Sequence, residues 1–168
     1  MHIQTSLHGR RFGLGANNEL ISNEEVIHGF RVAKVTSAQL LALNATPQTI
    51  IPAMGAGFAI VPTMVAVRHE GGTAYSGIAA GEDLVLKYTD GSGDQCSSVI
   101  ETTGFLDQTT AQIRVAHGPA STGSTAGSFT PVANAPVVLH LLTGEITTGD
   151  FDLIVRVDYK LIRTDFNV

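Results

Sequence analysis

The acidic stretch DGSGDQCSSVIE, residues Asp90 to Glu101, has residue types and a spacing that suit calcium binding. Oxygen-bearing side chains stand at every second position in Asp90, Ser92 and Asp94. Glu101 stands twelfth, where a calcium loop has its bidentate carboxylate. The same residue types also let a chain turn sharply between two strands. The stretch therefore supports two hypotheses, a metal site and a hairpin corner.

The other requirements of a calcium loop favour the corner. Such loops need glycine at the sixth position, which holds Gln95, and usually an apolar residue at the eighth, which holds Ser97. The flanking pieces LVLKY and SSVIE predict strands, whereas helices flank a calcium loop. The segment from Thr89 to Asp94 contains two glycines, which supply the positive φ angles of a hairpin turn. We predict a hairpin turn here, and leave calcium binding to a titration.

The remaining polar side chains form no catalytic or metal-binding pattern. The serines and threonines lack a G-x-S-x-G elbow, and the glycines near the N-terminus match neither a dinucleotide-binding nor a phosphate-binding loop. His140 alternates with Val and Leu, so we interpret it as a strand residue and not as a ligand. No histidine stands two or four residues from another, which leaves no local metal-ligand pair among His2, His8, His28, His69, His117 and His140.

The acidic pairs and the single cysteine have structural interpretations as well. Glu82-Asp83 and the pair Asp150 and Asp152 fall in predicted turns, where carboxylates help to close the backbone. Cys96 is the only cysteine, which excludes an intramolecular disulfide and zinc sites built on several thiolates. We interpret Cys96 as a small strand residue. The sequence thus predicts a protein that is not an enzyme and holds no cofactor or metal.

Composition limits the classes of partner. The net charge is −5 and the only basic pair is Arg10-Arg11, which argues against general nucleic-acid binding. No apolar run reaches the roughly 20 residues of a membrane helix, and the N-terminus lacks the apolar core of a signal peptide. We therefore expect no nucleic acid, no membrane and no export. Only 15% of residues are charged, against about a quarter in average domains, so we expect much of the surface to be covered by neighbouring protein.

The hydrophobic pattern predicts an all-β fold. The closing stretch FDLIVRVDYKLI alternates cleanly, with Leu153, Val155, Val157, Tyr159 and Leu161 on one face. Turn signals separate eight to ten such strands, and no long helical pattern alternates with them. We predict a jelly-roll-like β-sandwich of two packed four-stranded sheets over residues 37–168. Within it, the proline of GFAIVPTMVAVRHE indicates an edge strand or a bend, and the stretch 118–128 predicts a flexible loop.

Residues 1–36 differ from the rest and predict an extended N-terminal arm. They have no sustained period, and their hydrophobic residues favour an arm packed on other protein over a free tail. Ser22 to Glu25 has the spacing of a capping box and predicts a short helical turn. Thr36 and Gln39 have the same spacing, so LLALN is predicted to be either a helical turn or a strand.

Several phrases of the sequence resemble a group of tailed-bacteriophage virion proteins. These phrases are LLALNATPQTIIPAMGAGFAIVP, GGTAYSG, DLVLKYTDGSG, ETTGFLD, PVANAPVVLHLL and LIVRVDYKLI. They cover about residues 37–162 and consist of turns and strands, without catalytic motifs. The resemblance implies a small β-sandwich that decorates or cements the capsid shell, commonly as a homotrimer, on the capsid surface of a virion made in the host cytoplasm. Residues 1–36 lie outside the likeness.

The implied partners are the major capsid protein and further copies of this chain. On this interpretation the arm engages the capsid through Arg10, Arg11, Phe12 and Leu14. The alternative is a phage tail or fibre component, either a tube subunit or a host-recognition β-sandwich module. Sugar recognition through stacked aromatic rings is disfavoured, because the chain has no Trp and only 6% aromatic residues. Its few candidates, Tyr75 and Tyr88, stand where core residues are predicted.

Overall fold

A computed structural model describes residues 5–7, 10–14, 20–22, 26–78, 81–118 and 130–164, with side chains from residue 27 onward. These residues form ten strands and one short helix. The helix α1 spans Ser37–Leu41. The strands are β1 (Thr5–Leu7), β2 (Arg10–Leu14), β3 (Leu20–Ser22), β4 (Val26–Val35), β5 (Gln48–Ile51), β6 (Phe58–Gly71), β7 (Leu84–Tyr88), β8 (Thr110–His117), β9 (Val137–Leu141) and β10 (Leu153–Arg163).

Seven strands build two antiparallel sheets around one core. The first sheet has the order β4-β10-β6-β8 and the second the order β5-β9-β7. Residues 95–100 run antiparallel beside β7, through bridges at Gln95 and Ile100, and take the place of a fourth strand in the second sheet. Apart from this hairpin, every connection from β4 to β10 crosses from one sheet to the other. This is the strand arrangement of a jelly roll, and the predicted all-β sandwich is confirmed.

The facing sides of the two sheets supply the core. Along β10, Leu153, Val155 and Val157 are fully buried, while Tyr159 and Leu161 are partly buried against the same cluster. The predicted period of two is therefore confirmed. Each large apolar side chain that is buried in this way contributes roughly 1.5–3 kcal/mol to folding.

Pro62 lies at a bulge inside the first sheet. β6 is a central strand, but β8 pairs with it only from Met64 onward. The pairing of β6 with β10 skips Thr63, so that Met64 faces Asp158 and Pro62 faces Tyr159. The Thr63 hydroxyl donates a 3.0 Å hydrogen bond to the carbonyl oxygen of Asp158. Proline is tolerated at such bulges, and of the two predicted interpretations the bend is the correct one.

The helix α1 begins at a complete capping box. The Thr36 hydroxyl accepts a hydrogen bond from the Gln39 amide at 3.3 Å, and the Gln39 side chain accepts one from the Thr36 amide at 2.9 Å. Leu40 and Leu43 then enter the core with no exposed surface. Of the two predictions for this stretch, the helical turn is confirmed.

The N-terminal strands form a small antiparallel sheet of their own, in the order β1-β2-β3. Thr5 pairs with Phe12, and Phe12 pairs on its other side with Ser22. The helical turn predicted to start at Ser22 is wrong where the structure describes it, because Ser22 ends β3 and Val26 already begins β4; residues 23–25 lie outside the described residues. The same holds for residues 119–129, which make up nearly all of the predicted flexible loop.

The sandwich begins earlier than the sequence predicted. β4 pairs with β10 along its whole length, from Val26 opposite Ile162 to Val35 opposite Leu153. Val35 is buried in the core. The start of the sandwich thus moves from residue 37 to residue 26. The sequence did not predict β4 as a strand, because it has no clear period of two. Its first half is exposed on both faces, so that apolar and polar residues occur on each side.

This boundary predicts different outcomes for two truncations. A chain that lacks residues 1–25 should keep the cooperative thermal unfolding of the full-length protein, because the whole jelly roll is retained. A chain that lacks residues 1–35 should lose it, because an edge strand with ten paired residues is removed and the core beside it is opened. Circular dichroism melts measure both. Equal unfolding curves for the two truncations would contradict the boundary.

Candidate interaction surface

The two acidic residues just before β10, Asp150 and Asp152, accept hydrogen bonds from backbone amides of neighbouring segments. Asp150 accepts hydrogen bonds from the Thr73 amide and hydroxyl, both at 2.7 Å. Asp152 accepts one from the Ser37 amide at 2.8 Å and forms a 2.7 Å ion pair with Lys34. Hydrogen bonds from the Thr73 and Lys34 side chains lower the pKa of the respective carboxyl groups. Both carboxylates therefore tie loops to the sandwich, as predicted for acidic residues in turns.

His69 is a core residue with both ring nitrogens engaged. Its Nδ1 accepts a 3.1 Å hydrogen bond from the Gly71 amide, which leaves the proton on Nε2, 3.2 Å from the carbonyl oxygen of Phe105. The ring stacks on Phe151 with centroids 4.1 Å apart. Burial lowers the pKa of His69, and the Arg114 guanidinium lowers it further. The ring is therefore a neutral structural group.

His140 is buried on the outer side of β9. Its Nε2 lies 3.2 Å from the carbonyl oxygen of Asn44, and its Nδ1 is buried with no hydrogen-bond partner among the described residues. Burial lowers the pKa of His140, and the Lys87 ammonium adds to the effect. The sequence led us to expect a satisfied or solvent-facing side chain. The structure shows a buried ring with one nitrogen bonded.

These two histidines predict a loss of stability in mild acid. Both have pKa values below 6.5 in the folded protein, so only the unfolded chain takes up their protons as the pH falls below about 6.5. The free energy of unfolding should therefore decrease from pH 7 to pH 5, by at most about 1.4 kcal/mol per pH unit for each histidine.

Urea unfolding at a series of pH values measures this slope. His69→Gln and His140→Gln should each flatten it, and the double variant should flatten it most. The carboxyl groups with lowered pKa do not interfere, since their contribution is lost only below about pH 3.8. A free energy of unfolding that stays constant or rises between pH 7 and pH 5 would contradict the prediction.

The two candidate tyrosines belong to the core, as the sequence predicted, and so does the thiol of Cys96, which was predicted to be a small strand residue and lies between the isolated bridges at Gln95 and Ile100. Cys96 has no exposed surface, and burial raises the pKa of its thiol to about 12, which keeps it protonated. Tyr75 donates a 2.6 Å hydrogen bond to the carbonyl oxygen of Phe151, and Tyr88 donates one to that of Ile60. Both tyrosines are almost fully buried, so neither provides an aromatic platform for a sugar.

The acidic stretch at residues 89–94 is the corner of the hairpin that joins β7 to residues 95–100. Thr89 has a φ of 66°, and the Tyr88 amide donates a 3.0 Å hydrogen bond to the carbonyl oxygen of Asp94. The Asp90 carboxylate accepts hydrogen bonds from the amide and hydroxyl of Ser92, at 2.8 and 2.7 Å. A side chain at Gly93 would overlap the carbonyl oxygen of Tyr88. The predicted hairpin turn is therefore confirmed, but the expectation that its glycines supply the positive φ angle is wrong, because that angle belongs to Thr89 and neither Gly91 nor Gly93 has one.

The Asp90 carboxylate already accepts two hydrogen bonds from Ser92, so we expect this turn not to bind calcium. Addition of about 10 mM calcium, tenfold above the weakest typical dissociation constants, should leave the melting temperature unchanged. Asp90→Ala should lower the melting temperature with or without calcium, because the turn loses two hydrogen bonds. Asp94→Ala, in the same turn, is the matched control. A calcium-dependent rise in the melting temperature of the wild type would restore the metal-site hypothesis.

The outer face of the second sheet is covered by its own loops. All five residues of β9 are buried, including Val138 and His140, which point away from the core. Gly91 of the hairpin corner lies against the His140 ring and Pro47. Asn44 donates a 2.8 Å hydrogen bond to the carbonyl oxygen of Leu141. This face is therefore closed to partners at its centre.

The first sheet is the open one. Its two edge strands expose Phe30 by 63% and Val32 by 52% on β4, and Ile113 by 56% and Val115 by 54% on β8. Large apolar side chains that cluster at the surface of a small domain mark a protein-protein contact or a ligand site. The exposed large hydrophobic residues of the described chain are Ile27, Phe30, Val32, Val99, Ile113 and Val115.

Some of the charges around this open sheet are neutralised by ion pairs within the chain. The ion pairs of the described residues are Lys34 with Asp152 at 2.7 Å, Arg68 with Glu70 at 2.6 Å and Arg156 with Asp158 at 2.9 Å. They join residues on or beside β4, β6 and β10, the strands of the open sheet. Arg31 on β4 and Lys160 on β10 are exposed and take no part in these ion pairs, so the sheet is only partly neutralised.

Phe30 borders a shallow depression of about 390 Å³. The Arg156 guanidinium lies 4.9 Å from the centre of the Phe30 ring and is held by its ion pair with Asp158. Tyr159 packs over Gly29, which lacks a side chain at this point of the edge strand. Exposed aromatic and arginine side chains beside a depression are the residue types that dominate binding energy at interfaces.

The residues that the sequence assigned to capsid binding, Arg10, Arg11, Phe12 and Leu14, lie on β2. Their side chains are outside the described part of the structure, so their role stays a prediction. The sequence missed Phe30 and Val32, because β4 was assigned to the arm.

The described residues contain neither a metal-binding cluster nor a membrane-spanning helix. No group of three or more His, Cys, Asp or Glu side chains there is placed to hold a metal ion. No helix in the described part of the chain is long and apolar enough to cross a membrane.

Comparisons with known proteins give one weak likeness. No protein-family model and no curated protein matches the chain. Among solved structures, the chain is similar to one described as the capsid of Ralstonia phage GP4. The identity is 13% and the TM-score 0.38, over 82% of this chain and 84% of that one. A likeness of this strength carries no argument about the role of the chain.

Proposed function

We propose that this chain is a non-enzymatic structural protein of a phage virion, which decorates or cements the capsid shell as an oligomer. On this proposal the chain acts by binding other proteins. The observation that carries it is the exposed apolar set on the edge strands of the first sheet, in a jelly roll whose other sheet is covered by loops. The sequence resemblance to tailed-phage virion proteins supplies the kind of assembly.

The internal polar groups support a structural role. His69, Tyr75 and Asp150 are committed to hydrogen bonds within the fold, whereas His140 is buried with only one ring nitrogen bonded among the described residues. A protein that must stay rigid on a shell gains from such contacts. The weak contacts of many copies over one shell then add by avidity, so no single contact has to be strong.

We assign shell binding to the N-terminal segment before the sandwich, with Arg10, Arg11, Phe12 and Leu14 as the contact residues. The arginines supply charged hydrogen-bond donors and Phe12 a large apolar side chain, which are residue types enriched at binding hot spots. The proposed partner is the major capsid protein, and the proposed location is the outer surface of the head. Residues 1–25 precede β4, so they can be altered without removing a strand of the sandwich.

Co-sedimentation with heads assembled from the major capsid protein of the encoding phage tests this assignment. The full-length chain should sediment with the heads. The variant R10A/R11A/F12A/L14A should bind about tenfold more weakly or worse, as expected for the loss of hot-spot residues. The variant N17A/N18A, in the same segment, is the matched control and should bind as the wild type does.

Two results would contradict the proposal at different levels. Equal binding by the quadruple variant would refute the arm as the contact, while leaving the chain a capsid protein. A full-length chain that ignores heads and sediments with isolated tails would favour the alternative, a tail or fibre component.

A further inference from the structure

Two loops cover the His140 ring on the outer side of β9. The ring lies outside the core cluster, yet the residue is only 5% exposed. Gly91 of the hairpin corner lies so close that a Cβ atom there would stand 2.8 Å from Nε2 of His140 and 3.3 Å from the Pro47 ring. We call residues 44–47 and 89–94 together the loop cover.

The ring makes one hydrogen bond to the loop cover and leaves its other nitrogen unpaired. Nε2 lies 3.2 Å from the carbonyl oxygen of Asn44, which can only accept, so Nε2 carries the proton of the neutral ring. Nδ1 is then unprotonated, and it is buried with no partner among the described residues. A second proton would have to bind there. It would create a buried positive charge and an N–H donor without a described acceptor, and both are costly in a protein interior.

The Lys87 ammonium faces the same ring from β7. It donates a 2.6 Å hydrogen bond to the carbonyl oxygen of Gly91 and so ties the hairpin corner to the sheet. A charged imidazole repels this ammonium. Protonation of His140 therefore acts against the group that holds the corner in place.

Two carboxylates attract a charged ring, Asp90 in the corner and Glu145 between β9 and β10. Both are already engaged in the closed arrangement. Asp90 accepts hydrogen bonds from the amide and hydroxyl of Ser92, and Glu145 accepts one from the Ala45 amide at 2.9 Å. Burial outweighs their attraction, since it lowers the pKa of His140. The closed loop cover therefore favours the neutral ring.

We propose that the loop cover is released by acid: it closes over β9 while His140 is neutral, and it opens when the ring takes up a proton. Opening lets water solvate the new charge and lets the ring move away from the Lys87 ammonium. The strands beneath stay in place, because β9 is paired with β5 on one side and β7 on the other. The outer face of the second sheet is thus closed at its centre at neutral pH and accessible in mild acid. This inference does not depend on the role of the chain in a virion.

Acid favours the open state because that state binds the extra proton more tightly. In the closed state the pKa of His140 lies below its ordinary value of 6.5, and exposure to water restores that value. The ratio of open to closed molecules therefore rises by up to about tenfold for each pH unit below about 6.5.

Hydrogen–deuterium exchange of the purified full-length chain tests this device, with rates corrected for the intrinsic pH dependence of amide exchange. The reporting amides are those of Thr46 and Thr89, which donate to the carbonyl oxygens of Ala42 at 2.7 Å and Pro136 at 3.0 Å. The loop cover should exchange faster than β10 at both pH 7 and pH 5, as expected for a local opening. Its protection should fall about tenfold or more between the two pH values.

Two histidine variants separate local opening from global unfolding. His140→Gln should keep the same protection of the loop cover at pH 7 and pH 5. His69→Gln is the matched control, because that ring is buried elsewhere with both nitrogens engaged, and it should show the wild-type fall. If His140→Gln does not fold, the comparison of the wild type with His69→Gln still decides, since global unfolding would make both rings contribute to the fall.

Gly91→Ala tests the contact between corner and ring without a change in charge. The added Cβ atom would stand 2.8 Å from Nε2 of His140, so the variant should lose protection of the loop cover already at pH 7. Full protection of this variant at pH 7 would overturn the proposal. So would a wild-type loop cover that is equally protected at both pH values, one that exchanges in step with β10, or a fall that persists in His140→Gln. None of these outcomes bears on the head-binding test of the proposed function.

Discussion

The structure depends on the burial of the facing sides of two antiparallel sheets. β10 is central to it, because its inner residues Leu153, Val155 and Val157 are fully buried while its two sides pair with β4 and β6. This single strand therefore ties the first sheet together and holds it against the second. Side chains that are packed in this core cannot contact a partner, so only the side chains left at the surface are available for binding.

The two sheets differ in what covers their outer faces. The second sheet is shielded by the connection around Asn44 and by the hairpin corner at Gly91, which buries His140. The first sheet has no such cover over its edge strands in the described chain, and Phe30 and Ile113 are more than half exposed there. The apolar side chains available to a partner are therefore those of the open sheet.

Sequence reasoning succeeded where local rules decide the structure. The period of two in β10, the capping box at Thr36 and the turn chemistry at Asp90 each follow from a few neighbouring residues. It failed where tertiary packing decides. β4 was assigned to the arm because its exposed first half hides the alternation, and Phe30 was missed with it. The burial of His140 depends on loops some 50 and 100 residues away in sequence, which no local pattern shows.

The central claim is that this chain is a component of the capsid shell. A cryo-electron microscopy map of the virion of the encoding phage tests it most directly, since the jelly roll can be fitted into density at known symmetry positions. On this proposal, β-sandwich density is expected on the outside of the head, at positions related by the symmetry of the shell. A virion whose head carries no such density, with the chain located in the tail or missing from the particle, would contradict it.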